Sequence, residues 1–284
     1  MKVHVKDFFE AARNRSPRIV ENRIKLGVDV NQVDRMGHTA MTMALYGKNT
    51  PVVELLLKNG YDLAQDGKSL RQAVFGGQTA AVKLLLQHGA DPNFYTADMV
   101  FPYNPSPLAE AVEKGQMAVV DLLLAHGADA TKADGYGKRP WQRAHKEGHQ
   151  ELAEKLRLLE PDEWHDERWL RQRLEQLGVP EELLQIMASD DRKLMLPDCK
   201  EVGYIMFNSL ADASIIENSE YFPGKTLVDL LFDIDGHEEL VMILWYPKRK
   251  CLAYYDVDHD HFNTLGSAET FLKSPGKVID SIWQ

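Results

Sequence analysis

Four glycines, Gly27, Gly60, Gly89 and Gly127, each close an apolar stretch, and three of them end near copies of one phrase. The copies are Leu55-Leu56-Leu57-Lys58-Asn59-Gly60-Tyr61-Asp62, Leu84-Leu85-Leu86-Gln87-His88-Gly89-Ala90-Asp91 and Leu122-Leu123-Leu124-Ala125-His126-Gly127-Ala128-Asp129. An alanine stands sixteen residues before each glycine, at Ala11, Ala44, Ala73 and Ala111, and Ala144 opens a fifth unit. The alanine spacings are 33, 29, 38 and 33 residues. Such a period means stacked supersecondary units, none of which can bury its apolar face alone. Each unit reads as two short helices. The first carries the alanine, whose small side chain permits close packing, and the second ends at a glycine suited to a left-handed C-cap. Ser16-Pro17 and Thr50-Pro51 read as helix starts. A stack of this kind presents a surface rather than a pocket, which favours binding over catalysis.

These residues resemble the ankyrin repeat. Its Thr-Pro-Leu-His signature recurs in degraded form as Thr39-Ala40-Met41-Thr42, Ser106-Pro107-Leu108-Ala109 and Arg139-Pro140-Trp141-Gln142, and Gly-Ala-Asp leads into Pro92-Asn93. The resemblance covers residues 1–160 and implies an α-solenoid of about five units. It weakens in the first, where Asn22 and Arg23 hold leucine positions. The third unit is four residues short, so its finger is expected to be clipped, and the fourth is five residues long. The extra length falls in 94–105, where Phe94, Tyr95, Phe101, Tyr103 and Met99 share twelve residues. Insertions in repeat arrays map to loops, often on the binding face. This segment either packs on its own array or contacts a partner. The array face expected to meet a partner comprises Met41, Thr42, Arg71, Ala109 and Gln142, with Tyr95, Phe101 and Tyr103 on the finger.

The periodic pattern stops near Leu159. A charged segment, 161–169, acts as a linker to a second domain at 170–284. Helices are expected from Trp169 to Leu177 and from Pro180 to Met187. Short apolar runs then signal strands at Tyr204–Phe207, Ser214–Glu217, Leu240–Tyr246 and Cys251–Val257, with Pro247–Lys250 as a hairpin turn. Leu227–Phe232 is ambiguous between helix and strand. Ser267 caps a closing helix, Ala268–Lys273. The expected class is α+β with a mainly antiparallel sheet. This order resembles the SUKH superfamily of bacterial immunity-type domains, through Leu177-Gly178-Val179-Pro180, Leu231-Phe232-Asp233-Ile234-Asp235-Gly236 and Leu265-Gly266-Ser267-Ala268-Glu269-Thr270-Phe271-Leu272. The usual aromatic in the helix after Pro180 and the Asn-Gly turn are missing. The resemblance implies a protein that neutralises a toxin by binding it.

Charge is unevenly spread: residues 1–160 carry +2 and residues 161–284 carry −12. An acidic second domain opposes nucleic-acid binding, since phosphate contacts need basic groups. It favours a basic protein partner that it can steer electrostatically. No run approaches a membrane-spanning length, and Met1-Lys2-Val3-His4-Val5-Lys6-Asp7 lacks a signal-peptide core, so the expected compartment is the cytoplasm. Two cysteines, Cys199 and Cys251, are too few for a disulfide scaffold.

Asp256-Val257-Asp258-His259-Asp260-His261 is the one ligand-dense stretch. Strand alternation would send its aspartates and histidines to opposite faces, so a polar strand-end loop is the expectation and a metal site the alternative. Asp233-Ile234-Asp235-Gly236 begins like a calcium loop, but its twelfth position is Leu244, which excludes an EF-hand. His88 and His126, one residue before the repeat glycines, fit a shared helix-end role, and His149 lies in Gly148-His149, a turn common in ankyrin repeats. No phosphate loop, nucleophile elbow or zinc-protease motif occurs. The sequence therefore reads as a non-enzymatic binding protein without cofactor or metal, an immunity protein occluding a toxin. A general scaffold and a metal-dependent enzyme built on 256–261 are the alternatives. Besides the array face, the acidic groups Asp233, Asp235, Asp256, Asp258 and Asp260 are the candidate contacts.

Overall fold

The computed structural model describes residues 2–14, 16–64, 66–96, 103–235 and 241–283, with the backbone alone for 2–6. The chain forms two compact units. One comprises Met1–Asp134 with Arg139–Leu152, the other Gly135–Lys138 with Ala153–Gln284.

The repeat sequence folds into five helical pairs: α1 (Lys2–Arg13) with α2 (Pro17–Lys25), α3 (Ala40–Tyr46) with α4 (Thr50–Lys58), α5 (Lys68–Phe75) with α6 (Thr79–Gln87), α7 (Pro107–Glu113) with α8 (Met117–Ala125), and α9 (Pro140–Lys146) with α10 (Gln150–Arg157). The repeat alanines Ala44, Ala73, Ala111 and Ala144 are fully buried, which lets successive first helices approach closely. Gly27, Gly60, Gly89 and Gly127 sit at φ values of +86°, +82°, +88° and +86°. After each, the next backbone N–H reaches back to the helix: Val28 to the Arg23 carbonyl, Tyr61 to Leu56, Ala90 to Leu85 and Ala128 to Leu123, at 3.0–3.1 Å. This is the Schellman closure, and a side chain at those φ values would strain it.

A second device ties each pair to the one before. Asn49 Nδ2 donates to the Ala12 carbonyl (2.8 Å), Gln78 Nε2 to Leu45 (2.9 Å) and Gln116 Nε2 to Val74 (3.0 Å), while His149 Nε2 lies 3.2 Å from the Glu113 carbonyl. Asn49, Gln78 and Gln116 hold the N-cap positions of their helices, yet none of these side chains caps its own helix. Each instead reaches a carbonyl near the end of the preceding pair's first helix; those of Leu45 and Val74 also accept from the backbone N–H groups of Lys48 (3.0 Å) and Gly77 (2.9 Å). Thr50 is thus the first residue of α4 rather than its cap.

The short third unit lacks room for a full finger. Its turn closes at Asp66, whose carboxylate meets both the Tyr61 hydroxyl and the Ser69 hydroxyl. Tyr61 Oη also lies 2.9 Å from Thr39 Oγ1. Burial and the Asp66 charge hold the Tyr61 hydroxyl far above the usual tyrosine range.

Among its described residues, the second unit adds α11 (Glu167–Gln176), α12 (Glu181–Met187), α13 (Ala268–Lys273) and α14 (Pro275–Asp280) to eight strands. These are β1 (Lys193–Met195), β2 (Tyr204–Phe207), β3 (Ser214–Ile216), β4 (Leu227–Asp229), β5 (Leu231–Ile234), β6 (Val241–Tyr246), β7 (Cys251–Asp256) and β8 (His261–Gly266). They form two antiparallel sheets, β1-β2-β5 and β3-β4-β6-β7-β8. The ambiguous run Leu227–Phe232 is two strands in different sheets, separated by Leu230 alone. Leu230 N donates to the Ile243 carbonyl (3.0 Å), and its own carbonyl accepts from Asn208 N (2.8 Å). β6 is buried at all six positions because both faces of its sheet are covered. Val241, Ile243 and Trp245 join one apolar cluster with Phe207, Phe271 and the α11–α12 side chains. Met242, Leu244 and Tyr246 join another with Phe222 and Tyr255. Strands β1 and β8 and helix α14 go beyond the expected elements. The architecture is an α-solenoid followed by an α+β unit with antiparallel sheets.

Candidate functional site

The insertion 94–105 is held at its two ends by one side chain. Arg71 of α5 is fully buried. Its Nη2 donates to the Thr96 carbonyl (2.8 Å) and its Nη1 to the Pro105 carbonyl (3.2 Å), with the guanidinium 5.6 Å from the Phe94 ring centre. Phe94 covers Gly67 so tightly that a Cβ there would fall 1.9 Å from the ring. At the other end, Tyr103 lies against the Arg143 guanidinium, 5.0 Å from the ring centre. Arg143 in turn bridges the carboxylates of Asp134 and Glu113. Burial pushes the Tyr103 hydroxyl up to about 12. Burial, reinforced by the Glu113 charge, also raises the carboxyl of neighbouring Glu110, against the pull of Lys114 at 3.4 Å. Phe94 and Tyr103 are therefore anchors of the loop ends. Ala97–Pro102, including Phe101, lie outside the described residues.

Tyr95 differs from both. It is 51% exposed, with Lys132 Nζ 3.6 Å from its ring centre. Lys132 also donates to the Asn93 carbonyl (2.8 Å). Asn93 Nδ2 donates to the Gly127 carbonyl (2.9 Å), and Asn93 Oδ1 accepts from Asp129 N (2.8 Å). Asn31 makes the same two bonds with Gly60 and Asp62. Tyr95 thus follows a braced turn and keeps its ring half exposed.

The residues expected at the helix starts are mostly enclosed. Met41, Arg71 and Ala109 are fully buried and Gln142 is 4% exposed. Their short first helices turn these positions inward, and several serve in caps. Ser106 Oγ accepts from Ala109 N (3.1 Å), and Gln142 Oε1 accepts from Arg139 N (3.1 Å). Thr42 is partly exposed, its N–H donating to Thr39 Oγ1 (3.1 Å). The array's outward aromatics include two that the sequence reading passed over, Tyr46 and Phe75, each 50% exposed. Lys114 Nζ lies 4.4 Å from the Phe75 ring centre, and His38 meets Tyr46 edge-on at 6.2 Å. Both stand two residues after a repeat alanine, Ala44 or Ala73, so the period itself marks the position.

The acidic groups of the second unit are mostly engaged locally. Asp256 ends β7, and its carboxylate accepts from His259 N (3.1 Å) and meets His259 Nδ1 (2.9 Å). Despite partial burial, these bonds hold Asp256 below the usual carboxylate range, and Asp256 in turn raises the exposed His259 imidazole. Asp260 takes the left-handed conformation at φ +48° and accepts from Tyr255 Oη (2.8 Å). Asp258 is exposed. The stretch is thus the turn of the β7–β8 hairpin. Asp233 Oδ2 accepts from Tyr204 Oη (2.8 Å), and Asp235 Oδ2 from Gly203 N (2.9 Å). Gly236 lies outside the described residues. Among the described residues, no group of three or more His, Cys, Asp or Glu side chains is arranged to hold a metal ion. Among them, too, no helix is long and apolar enough to cross a membrane.

The glycine-closed pairs and their inter-repeat bonds have a counterpart among known families. The family model for ankyrin repeats, in its three-copy form, matches residues 8–96 and again 70–163. The chain belongs to the ankyrin-repeat family. Ankyrin repeats are protein–protein interaction modules, and the family is typically non-enzymatic. No curated protein matches the chain.

Proposed function

We propose that this ankyrin-repeat protein binds another protein through the exposed aromatics of its array and neutralises it by occlusion, as an immunity protein does its toxin. The observation that carries the contact is that the aromatic rings of Tyr46, Phe75 and Tyr95 stand half exposed on an array that also exposes the aliphatic side chains of Ile19, Leu26, Val33 and Met36. Aromatic side chains are enriched among the anchors of protein interfaces. Lys114 and Lys132 over two of these rings add cationic edges. Thr42 borders this face, and exposed Asp258 and neighbouring Asp260 belong to the acidic contact surface. The charge of −12 over residues 161–284 supports a basic partner, and the SUKH resemblance of 170–284 supports the immunity reading.

The test uses the tagged full chain as bait in its native host, at low and moderate salt. The captured protein is then purified and titrated against wild type and a Tyr46→Ala/Phe75→Ala/Tyr95→Ala variant. The variant is expected to bind at least about tenfold more weakly, a loss of about 1.4 kcal/mol. Equal affinity would remove the aromatic surface from the account. Expressing the captured protein alone should arrest growth, and co-expressing this chain should restore it. A captured protein that is harmless leaves a scaffold in place of an immunity protein.

A further inference from the structure

One short segment of the second unit comes from elsewhere in the sequence. Gly135–Lys138 lies between α8 and α9 yet belongs to the unit formed by Ala153–Gln284. Each of its four residues meets a different kind of partner there. Ser219 Oγ donates to the Gly135 carbonyl (2.6 Å). The Tyr136 ring centre lies 5.3 Å from that of Tyr221 and 6.1 Å from that of Tyr255, at the margin of the cluster holding Phe222. Gly137 stands at φ +77°, and a Cβ there would come 2.9 Å from the Ile215 carbonyl oxygen. Lys138 Nζ lies 3.3 Å from Asp229 Oδ2, on a side chain only 3% exposed.

A ring slot, a carbonyl hook, an approach that admits only glycine and a buried anion thus follow one another in register. Apolar surface with a few placed polar groups, read against consecutive residues of a turn, is the form of a peptide-recognition site. The buried Asp229 also makes the fourth position selective. Without a cation opposite, its charge would be left uncompensated in an apolar setting.

We propose that Tyr221, Tyr255, Ser219 and Asp229 form a recognition site for a Gly-Tyr-Gly-Lys turn, filled here by the chain's own Gly135–Lys138 as an internal ligand. A second protein presenting a basic, tyrosine-bearing turn fits the same site. The resident segment is tethered, so its effective concentration excludes such a turn until the segment withdraws. This inference is independent of the array surface, which uses other residues.

The test keeps the full chain and uses the acetylated, amidated peptide Ala-Asp-Gly-Tyr-Gly-Lys-Arg, the sequence of 133–139, as probe. In the variant Tyr136→Ala/Gly137→Val/Lys138→Ala the resident segment loses its ring and cation and gains a side chain that cannot fit. Calorimetric titration should show this variant binding the peptide at least about tenfold more tightly than wild type does. Replacing the peptide's tyrosine or lysine by alanine should reverse that gain, as should adding Asp229→Asn to the variant. Equal uptake by both proteins, uptake by neither, or indifference to the peptide's tyrosine and lysine would overturn the proposal. Should circular dichroism show the triple variant unfolded, Lys138→Ala alone serves. It leaves the ring in place but frees Asp229, and it too must bind the peptide more tightly than wild type or the proposal falls.

Discussion

The two units of this protein are held together by opposite strategies. In the array, the helical pairs reuse the same few devices: a buried alanine, a left-handed glycine that closes a second helix, and one side-chain amide or imidazole reaching a carbonyl of the preceding pair. Stability of this kind accumulates pair by pair. In the second unit, two sheets share a chain that crosses from one to the other, and the five-stranded sheet is covered on both faces. Its contacts are long-range and differ from place to place, so they stand or fall together. The array can lose one link and bend, whereas the second unit has few parts that can fail alone.

The sharpest way to break that comparison is a large deletion in the second unit. Phe207 is fully buried and meets Phe271 edge-on. Phe207→Ala should cost about 3–5 kcal/mol, unfolding the second unit while the helical array persists. Denaturation followed by helical circular dichroism and by tryptophan fluorescence would then separate into two transitions. A single, merely shifted transition would deny the units their separate characters.

A smaller effect is expected at Lys138, opposite buried Asp229. With the Lys138 side chain 24% exposed, Lys138→Met should destabilise the second unit by about 2 kcal/mol, less than for a fully enclosed pair. The double change Lys138→Met/Asp229→Leu should recover part of that loss, measured by urea unfolding. Within the array, Gln78→Ala removes one link to the preceding pair and should cost about 1 kcal/mol. Hydrogen exchange should rise in α3 to α6 and stay unchanged in α9. An increase spread over every pair would argue against neighbour-by-neighbour stability.

The smallest effect belongs to the β7–β8 turn. The Asp256–His259 contact is complete between the depressed pKa of the carboxylate and the raised pKa of the imidazole. The histidine's contribution is full below its usual value of 6.5 and is lost as pH rises through the raised value in the folded protein. At the acid end, the contact is lost as pH falls through the depressed Asp256 value. An NMR titration should place the His259 midpoint above 6.5 in wild type and return it toward that value in Asp256→Asn. The same midpoint in both proteins would show the contact to be without electrostatic weight.

Much of the array is legible in the sequence because its physics repeats. The glycines announce their own φ, and the alanines mark which helix is inside. What the period conceals is the direction of side chains at helix starts, where Met41, Arg71 and Ala109 turn inward because a helix of seven or eight residues buries most of its first turn. The same period holds Tyr46 and Phe75 in plain view two residues past the alanines, a position that counts only once exposure is known. In the second unit, β6 and β7 are legible as unbroken apolar runs, but β8 reads His261-Phe262-Asn263-Thr264-Leu265-Gly266, too polar to stand out from a loop. Its pairing with β7 supplies what its composition lacks. The place of Gly135–Lys138 has no local signal, since a tyrosine between glycines in a repeat turn says nothing of which residues will enclose it.

Leu230 gives the second unit a single clock. Its amide proton is spent on Ile243 and its carbonyl on Asn208, while its neighbours on either side belong to different sheets. Neither sheet can slide past the other without breaking the two hydrogen bonds of that one residue. Exchange of the Leu230 proton with solvent should therefore keep time with the opening of the whole unit, and two cores should age as one.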